Sequence, residues 1–193
     1  ARLSSFKNVN IDLMNGIPLQ TVESYRRSLK NISLLRPEHL SVYNLIVESG
    51  TKFFRLQEEG KLPLPTEEEL LQMDQLTLEW TEKMGMKRYE ISNYAKEGFA
   101  SIHNYNYWSD VDYLGFGLGA ASYFQNCRRK NISSFRQYME VPFSNSQESN
   151  TEQLLTEERH SLSKEEQMEE FFILGLRRTE GISEMDFVRK FSV

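Results

Sequence analysis

Three features of this 193-residue chain could do chemistry by residue type and spacing. His103 lies in His103-Asn104-Tyr105-Asn106-Tyr107-Trp108, where a neutral imidazole is a good metal ligand and the neighbouring rings offer stacking surfaces. A histidine hydrogen-bonded inside an aromatic wall has the same signature. Asp12 carries a carboxylate that can accept hydrogen bonds from hydroxyls, or can serve simply as a polar strand residue. Gly115, Gly117 and Gly119 spell G-x-G-x-G, superficially a phosphate loop. Neither a six-residue dinucleotide fingerprint nor a P-loop lysine accompanies them, and close backbone packing explains such glycines better.

His39 and His160 read as structural, and the acidic runs at 67–69 and 165–170 as first turns of helices favoured by the macrodipole. Ser-His-Asp, His-Glu-x-x-His and EF-hand patterns are absent, so the chain offers no self-contained catalytic constellation. A single cysteine, Cys127, excludes an intrachain disulfide and any zinc or iron-sulfur site built from several cysteines of this chain. It fits a reducing, cytoplasmic compartment.

Lys and Arg number 23 against 28 Asp and Glu, a net charge of −5, which argues against a non-specific nucleic-acid or anionic-membrane binder. Proteins and small molecules are the partners left. The 39% hydrophobic and 26% charged fractions are those of a soluble globular chain. The longest weakly polar run, 113–124, is far shorter than the roughly 20 apolar residues of a spanning helix, and no signal-peptide pattern opens the chain.

The elements that must position these residues follow from periodicity. Residues 9–14 alternate as a strand and stop at Asn15-Gly16-Ile17-Pro18. Val22, Tyr25, Leu29 and Ile32 share one helix face that ends before Arg36-Pro37, and 40–47 reads as a strand covered on both faces. Together they predict a βαβ unit, whose functional residues belong at the C-terminal ends of strands. Thr66 and Glu69 form a capping box before a helix carrying Leu70, Met73, Thr77, Trp80 and Met84 to Gly85, and 87–92 reads as a third strand.

Ten aromatics crowd 89–124, a packed surface or pocket wall, and 93–124 has no helical period, so loops and short strands are expected there. The polar stretch 144–161 reads as a mobile connection. Ser163 and Glu166 cap a helix burying Met168, Phe171, Phe172 and Leu176 and ending at Gly181; another starts at Ser183 with Met185, Phe187, Val188 and Phe191. A lone first strand and a lone last amphipathic helix each need partners, so the chain reads as a fragment.

A set of motifs then stands in order: Asp12-Leu13-Met14-Asn15-Gly16-Ile17-Pro18-Leu19-Gln20-Thr21, Pro37-Glu38-His39-Leu40-Ser41-Val42-Tyr43, Arg88-Tyr89-Glu90-Ile91-Ser92-Asn93-Tyr94, the His103 to Trp108 segment and Tyr113-Leu114-Gly115-Phe116-Gly117. The series resembles the radical S-adenosylmethionine (SAM) proteins related to oxygen-independent coproporphyrinogen III oxidase. Leu176-Arg177 and Glu180-Gly181-Ile182 extend it. The H-N-x-x-Y-W pattern of His103, Asn104, Tyr107 and Trp108 resembles the heme-chaperone (HemW-type) branch of that family.

The resemblance implies an α/β (α+β) fold: the C-terminal part of a partial (β/α)6 radical SAM barrel, with accessory strands and loops and a truncated helical C-terminal domain. It implies the last βα units of the barrel at 1–95, an aromatic accessory segment at 96–143, a polar linker at 144–162 and the start of the helical domain at 163–193. The cysteine triad that binds a [4Fe-4S] cluster would lie upstream, as C-x-x-x-C-x-x-C about 150 residues before Asp12, if four βα units precede it. The fragment alone would then be inactive.

By the same resemblance, Asp12 contacts the ribose of SAM in the intact parent, and Met14 and Ile46 contact the adenine; both are also plausible core filler. His103, with Asn104, Tyr107 and Trp108, marks a heme region, the imidazole serving as axial ligand or as a hydrogen-bonded wall residue. Ala121 stands where the family carries a histidine, and Leu19 where it carries a small or polar residue. The implied function is a chaperone that binds heme and passes it to an acceptor protein. The alternatives are coproporphyrinogen III oxidase, which converts propionates to vinyl groups, and a non-catalytic fold module that forms a homodimer through cut barrel edges.

Overall fold

The computed structural model describes residues 2–141 and 153–192. The chain forms two compact units, 1–101 and 102–193. In the first, β1 (Asn10–Asn15), α1 (Val22–Leu35) and β2 (His39–Asn44) make the expected βαβ crossover, with β1 and β2 parallel from Asn10 opposite His39 to Asn15 opposite Asn44. After α2 (Lys52–Glu58) and α3 (Glu67–Lys83) come β3 (Lys87–Arg88) and β4 (Asn93–Ala95), giving a sheet ordered β1-β2-β4-β3 in which β4 is antiparallel to both neighbours.

Local chemistry sets the helix ends. Thr21 Oγ1 accepts from the Ser24 amide at 3.1 Å while Ser24 Oγ accepts from the Thr21 amide at 3.0 Å, closing a capping box at the start of α1. Arg36, left-handed at φ 49°, ends α1 ahead of Pro37. The expected box at α3 is present: Thr66 Oγ1 accepts from the Glu69 amide, and Glu69 Oε2 accepts from the Thr66 amide at 2.8 Å. The Thr66 amide, and next the Thr66 hydroxyl at 3.0 Å, hold the Glu69 carboxyl below its usual range.

Ile11, Leu13, Leu40, Val42 and Tyr94 cover one face of the sheet and pack with Ile32, Met84 and Met86. Tyr25, Leu29, Met73 and Leu76 join α1 to α3, with Trp80 against them. Tyr25 is fully buried, its Oη 2.7 Å from Thr77 Oγ1. Thr77 donates its own proton to the Met73 carbonyl at 3.0 Å, so Tyr25 is the donor.

Burial pushes the Tyr25 phenol up to about 12 from an ordinary 10.0. The folded chain keeps this proton while the unfolded chain releases it, so the stabilisation is complete below pH 10 and is lost as pH rises towards 12. Tyr25→Phe should cost about 1 kcal/mol at neutral pH and flatten the alkaline decline of urea-measured stability. An unchanged decline would count against this assignment.

Three features of the first unit differ from expectation. The strand read at 87–92 is only Lys87–Arg88, because the Glu90 carboxylate accepts from the Ser92 amide at 2.7 Å and from Asn93 Nδ2, turning the chain back into β4. The strand read at 40–47 ends at Asn44, so Ile46 lies beyond it. α2, capped by Thr51 Oγ1 on the Phe54 amide at 3.2 Å, was hidden in a segment too short to show a period.

The second unit contains α4 (Ile102–Trp108), β5 (Ala121–Phe124), β6 (Cys127–Asn131), α5 (Phe135–Glu140), β7 (Thr156–Ser161), α6 (Lys164–Gly175) and α7 (Glu184–Phe191). β5, β6 and β7 form an antiparallel sheet, and Gln125 and Asn126, both at positive φ, make the two-residue β5–β6 turn. The Arg128 guanidinium grips the Glu170 carboxylate with both arms, 2.9 and 2.7 Å, tying β6 to α6. Phe171 meets Phe187 and Phe191 edge to face, and Phe187 meets Phe172 and Phe191 at a tilt, joining α6 to α7.

Corrections arise here too. The H-N-x-x-Y-W segment, expected in loops and short strands, is the helix α4. Of the expected mobile connection, 144–152 lies outside the described residues, but Thr156–Ser161 is a strand. Its polarity is satisfied laterally: Lys130 reaches Glu158 at 3.0 Å, and Ser133 Oγ donates to Glu157 at 2.7 Å. The Ser163–Glu166 capping box forms, yet α6 ends at Gly175 rather than Gly181, and Phe172 and Leu176 are exposed rather than buried. No helix among the described residues is long and apolar enough to cross a membrane.

Candidate functional sites

Alternation along β1 sends Ile11 and Leu13 to the helices and Asn10, Asp12 and Met14 to the opposite face. Parallel register sets His39, Ser41 and Tyr43 beside them on that face, and Asn93 lies opposite Ser41. Polar side chains therefore dominate this sheet face, where His39, Ser41 and Asn93 are buried and Asn10, Asp12 and Met14 are exposed. Asp12 is exposed, and its Oδ1 accepts from Asn10 Nδ2 at 2.7 Å. Met14 is 41% and Ile46 74% exposed, so neither is core filler within this chain.

The turn after β1 is tightly held. The Gly16 amide donates to Gln20 Oε1 at 2.7 Å, Gln20 Nε2 donates to the Met14 carbonyl at 3.2 Å, and Asn15 Nδ2 donates to Asp74 Oδ1 at 2.9 Å. Leu19 adopts φ 64° and donates its amide to Pro63 O at 2.9 Å. That left-handed conformation suits a small or polar residue better than leucine.

His39 is only 5% exposed; its Nδ1 lies 2.6 Å from Asn10 Oδ1 and its Nε2 2.7 Å from Tyr89 Oη. Burial pushes its pKa down, against the opposing pull of Asp12 and Glu90, so the ring is neutral at pH 7. Glu90, Asn93 and Ser41 are buried in the same unit. Reading the residues in order missed Asn10 and Tyr89 as partners of this face; their one signal was that Asn10 shares the parity of Asp12.

In the second unit, α4 divides its motif into two pairs by the i, i+4 rule. His103 is exposed and meets Tyr107 edge-on at 4.7 Å; Tyr107 meets Tyr113 at 4.5 Å, and Tyr113 meets Tyr123 at 6.3 Å. This ladder ends inward at buried Tyr123, under the Arg128 guanidinium. Burial first, and Asp110 next, push the Tyr123 phenol up. Asn104 and Trp108 form the other pair. Trp108 stacks under Arg177 at 4.3 Å and lines a 440 Å³ cavity with Phe171, Arg178 and Ile182, a cavity that His103 does not line.

Ala121 is exposed at the start of β5 opposite Lys130. Gly115 meets the expectation of close packing: its amide donates to Ser122 Oγ at 2.9 Å, and a Cβ there would overlap the Ala121 carbonyl oxygen. Cys127 is half-buried in β6, and no group of three metal-ligating side chains occurs among the described residues.

No family model matches the chain. It is 38% identical over 197 residues to the heme chaperone HemW of Bacillus subtilis, covering 99% of this chain and 48% of that protein. It is 35% identical over 188 residues to the heme chaperone HemW of Lactococcus lactis, covering 97% of this chain and 47% of that one. The chain belongs to the radical SAM family of HemW-type proteins.

A mouse mitochondrial radical SAM domain-containing protein is 38% identical over 124 residues, 64% of this chain and 26% of that protein. Among solved structures, Escherichia coli coproporphyrinogen III oxidase, described as a radical SAM enzyme, shares the fold with a TM-score of 0.75 at 22% identity, over 100% of this chain and 45% of that one. The chain spans about half the length of the HemW-type relatives it matches. Its mixed α/β architecture is thus that of a part of the radical SAM fold.

Proposed function

We propose that the protein is a heme chaperone that binds heme and passes it to an acceptor protein, and that this chain carries the heme-facing ladder and part of the SAM site. The observation that carries the reading is the placement of His103: an exposed imidazole, able to serve as an axial ligand, at the outer end of a run of edge-on tyrosine rings. Kinship to proteins named heme chaperones supports it. Trp108, stacked under Arg177 with Asn104 on the same side of the helix, then holds α4 in place rather than touching heme.

SAM and a [4Fe-4S] cluster are the family's cofactors and belong to the full-length protein. Bound in the full-length protein, they would supply radical chemistry through reductive cleavage of SAM. The residues of this chain fit the nucleoside end: Asp12 offers Oδ2, which makes no hydrogen bond among the described residues, to ribose hydroxyls, and Met14 and Ile46 offer exposed apolar surface to adenine. They do not fit the cluster, for Cys127 stands alone. The single cysteine is consistent with a cytoplasmic setting.

Hemin titrated into the full-length protein should give a shifted Soret band that His103→Ala abolishes or moves. A band identical in the variant would remove His103 as ligand. A coproporphyrinogen III oxidase reading has the fold alone in its favour. Vinyl product formed from coproporphyrinogen by the full-length protein would overturn a purely chaperone role.

A further inference from the structure

One directed hydrogen-bond chain runs along the polar face of the first unit's sheet. The Ser101 amide donates to Tyr89 Oη at 3.2 Å, Tyr89 Oη lies 2.7 Å from His39 Nε2, His39 Nδ1 lies 2.6 Å from Asn10 Oδ1, and Asn10 Nδ2 donates to Asp12 Oδ1 at 2.7 Å. The direction is dictated from the Asp12 end. A carboxylate only accepts, so Asn10 turns its NH2 to Asp12 and its carbonyl oxygen to His39. That oxygen cannot donate, so His39 carries its ring proton on Nδ1. Nε2 is then bare and takes the Tyr89 hydroxyl proton, which leaves the Tyr89 oxygen to accept from Ser101.

Every donor in the chain meets an acceptor, and reversing any one member sets two like groups face to face. His39 is buried, so water does not readily replace its two links, to Tyr89 and to Asn10, and these fix Asn10 where it meets the exposed Asp12. An aspartate on an exposed strand face otherwise samples several rotamers, and ordering it costs entropy when a ligand arrives.

We infer that Tyr89, His39 and Asn10 are positioning residues that hold the Asp12 carboxylate in one orientation, with Oδ2 set to recognise a vicinal diol such as the ribose of an adenosyl ligand. The inference rests on the proposed role of Asp12 as a ligand-facing carboxylate. Asn10 occupies Oδ1, so the diol meets an acceptor whose direction is set before binding. The imidazole serves here in its neutral Nδ1–H form, the minority tautomer of a free histidine, and that tautomer is a signature of the chain independent of any ligand.

The test uses the full-length protein with 5′-methylthioadenosine, which carries the adenine and both ribose hydroxyls, and its 2′,3′-dideoxy counterpart. Nitrogen-15 NMR should find the His39 proton on Nδ1. Calorimetry should show that Asn10→Ala weakens binding of 5′-methylthioadenosine about tenfold while sparing the dideoxy compound. Tyr89→Phe, which keeps the ring and removes only the hydroxyl, should act in the same direction and move the His39 nitrogen shifts.

A His39 proton on Nε2 overturns the inference, as does an Asn10→Ala protein that keeps the full preference for the diol. If Asp12→Asn abolishes that preference and Asn10→Ala does not, the relay falls and the Asp12 reading stands. If the wild type binds neither compound, or Asp12→Asn changes nothing, the Asp12 reading falls and takes the relay with it.

Discussion

Leu40→Ala is expected to destabilise the first unit by about 2–5 kcal/mol. Leu40 is fully buried on β2, an inner strand, paired with Ile11 of β1 on one side and Tyr94 of β4 on the other. It packs in the cluster of Ile32, Val42, Met86 and Tyr94, so truncation removes contacts to both helix and sheet neighbours at once. Flanking strands hold the backbone in register, which limits collapse into the cavity and keeps the cost high. Urea unfolding measures it. Ile46→Ala, at an exposed site beyond the strand, is the matched control and should change stability by less than about 0.5 kcal/mol. Equal effects from the two would sink the argument.

Gly115→Ala is expected to cost the second unit about 1–3 kcal/mol. A methyl group at Gly115 would run into the backbone of Ala121, its carbonyl carbon 2.8 Å away, and backbone cannot step aside as a side chain can. Relief requires β5 to move, and β5 is held to β6 from Ala121 opposite Lys130 to Phe124 opposite Cys127. Gly117→Ala meets nothing within 4 Å and suffers only from its left-handed φ of 97°. Thermal unfolding should rank Gly115→Ala as the more damaging change; the reverse ranking would show that conformation, not close approach, explains this glycine pattern.

What could be read in advance was what is local. Thr66 with Glu69, and Ser163 with Glu166, announce their helices because both halves of a capping box lie within one turn. The βαβ unit was legible because Tyr25, Leu29 and Ile32 repeat on one face over about two turns. α4 was not, since seven residues, mostly polar or aromatic, show no period. β7 was not either, because its charges are answered by Lys130, far away in the chain.

The candidate sites divide in the same way. Asp12 and His103 were found because each sits in a short contiguous motif. The partners that orient Asp12 were missed because His39 stands 29 residues from Asn10 and 50 from Tyr89. Only the register of β1 against β2 brings Asn10 and His39 together.

The two tryptophans have a practical consequence. Trp80 packs in the first unit, against the cluster that joins α1 to α3, and Trp108 stacks under Arg177 in the second. Each unit thus carries its own intrinsic fluorophore. In a Trp80→Phe background the emission reports the second unit alone, and in a Trp108→Phe background the first. Leu40→Ala and Gly115→Ala can then be followed in separate optical channels, and coincident or staggered transitions will tell whether the two units melt as one cooperative body.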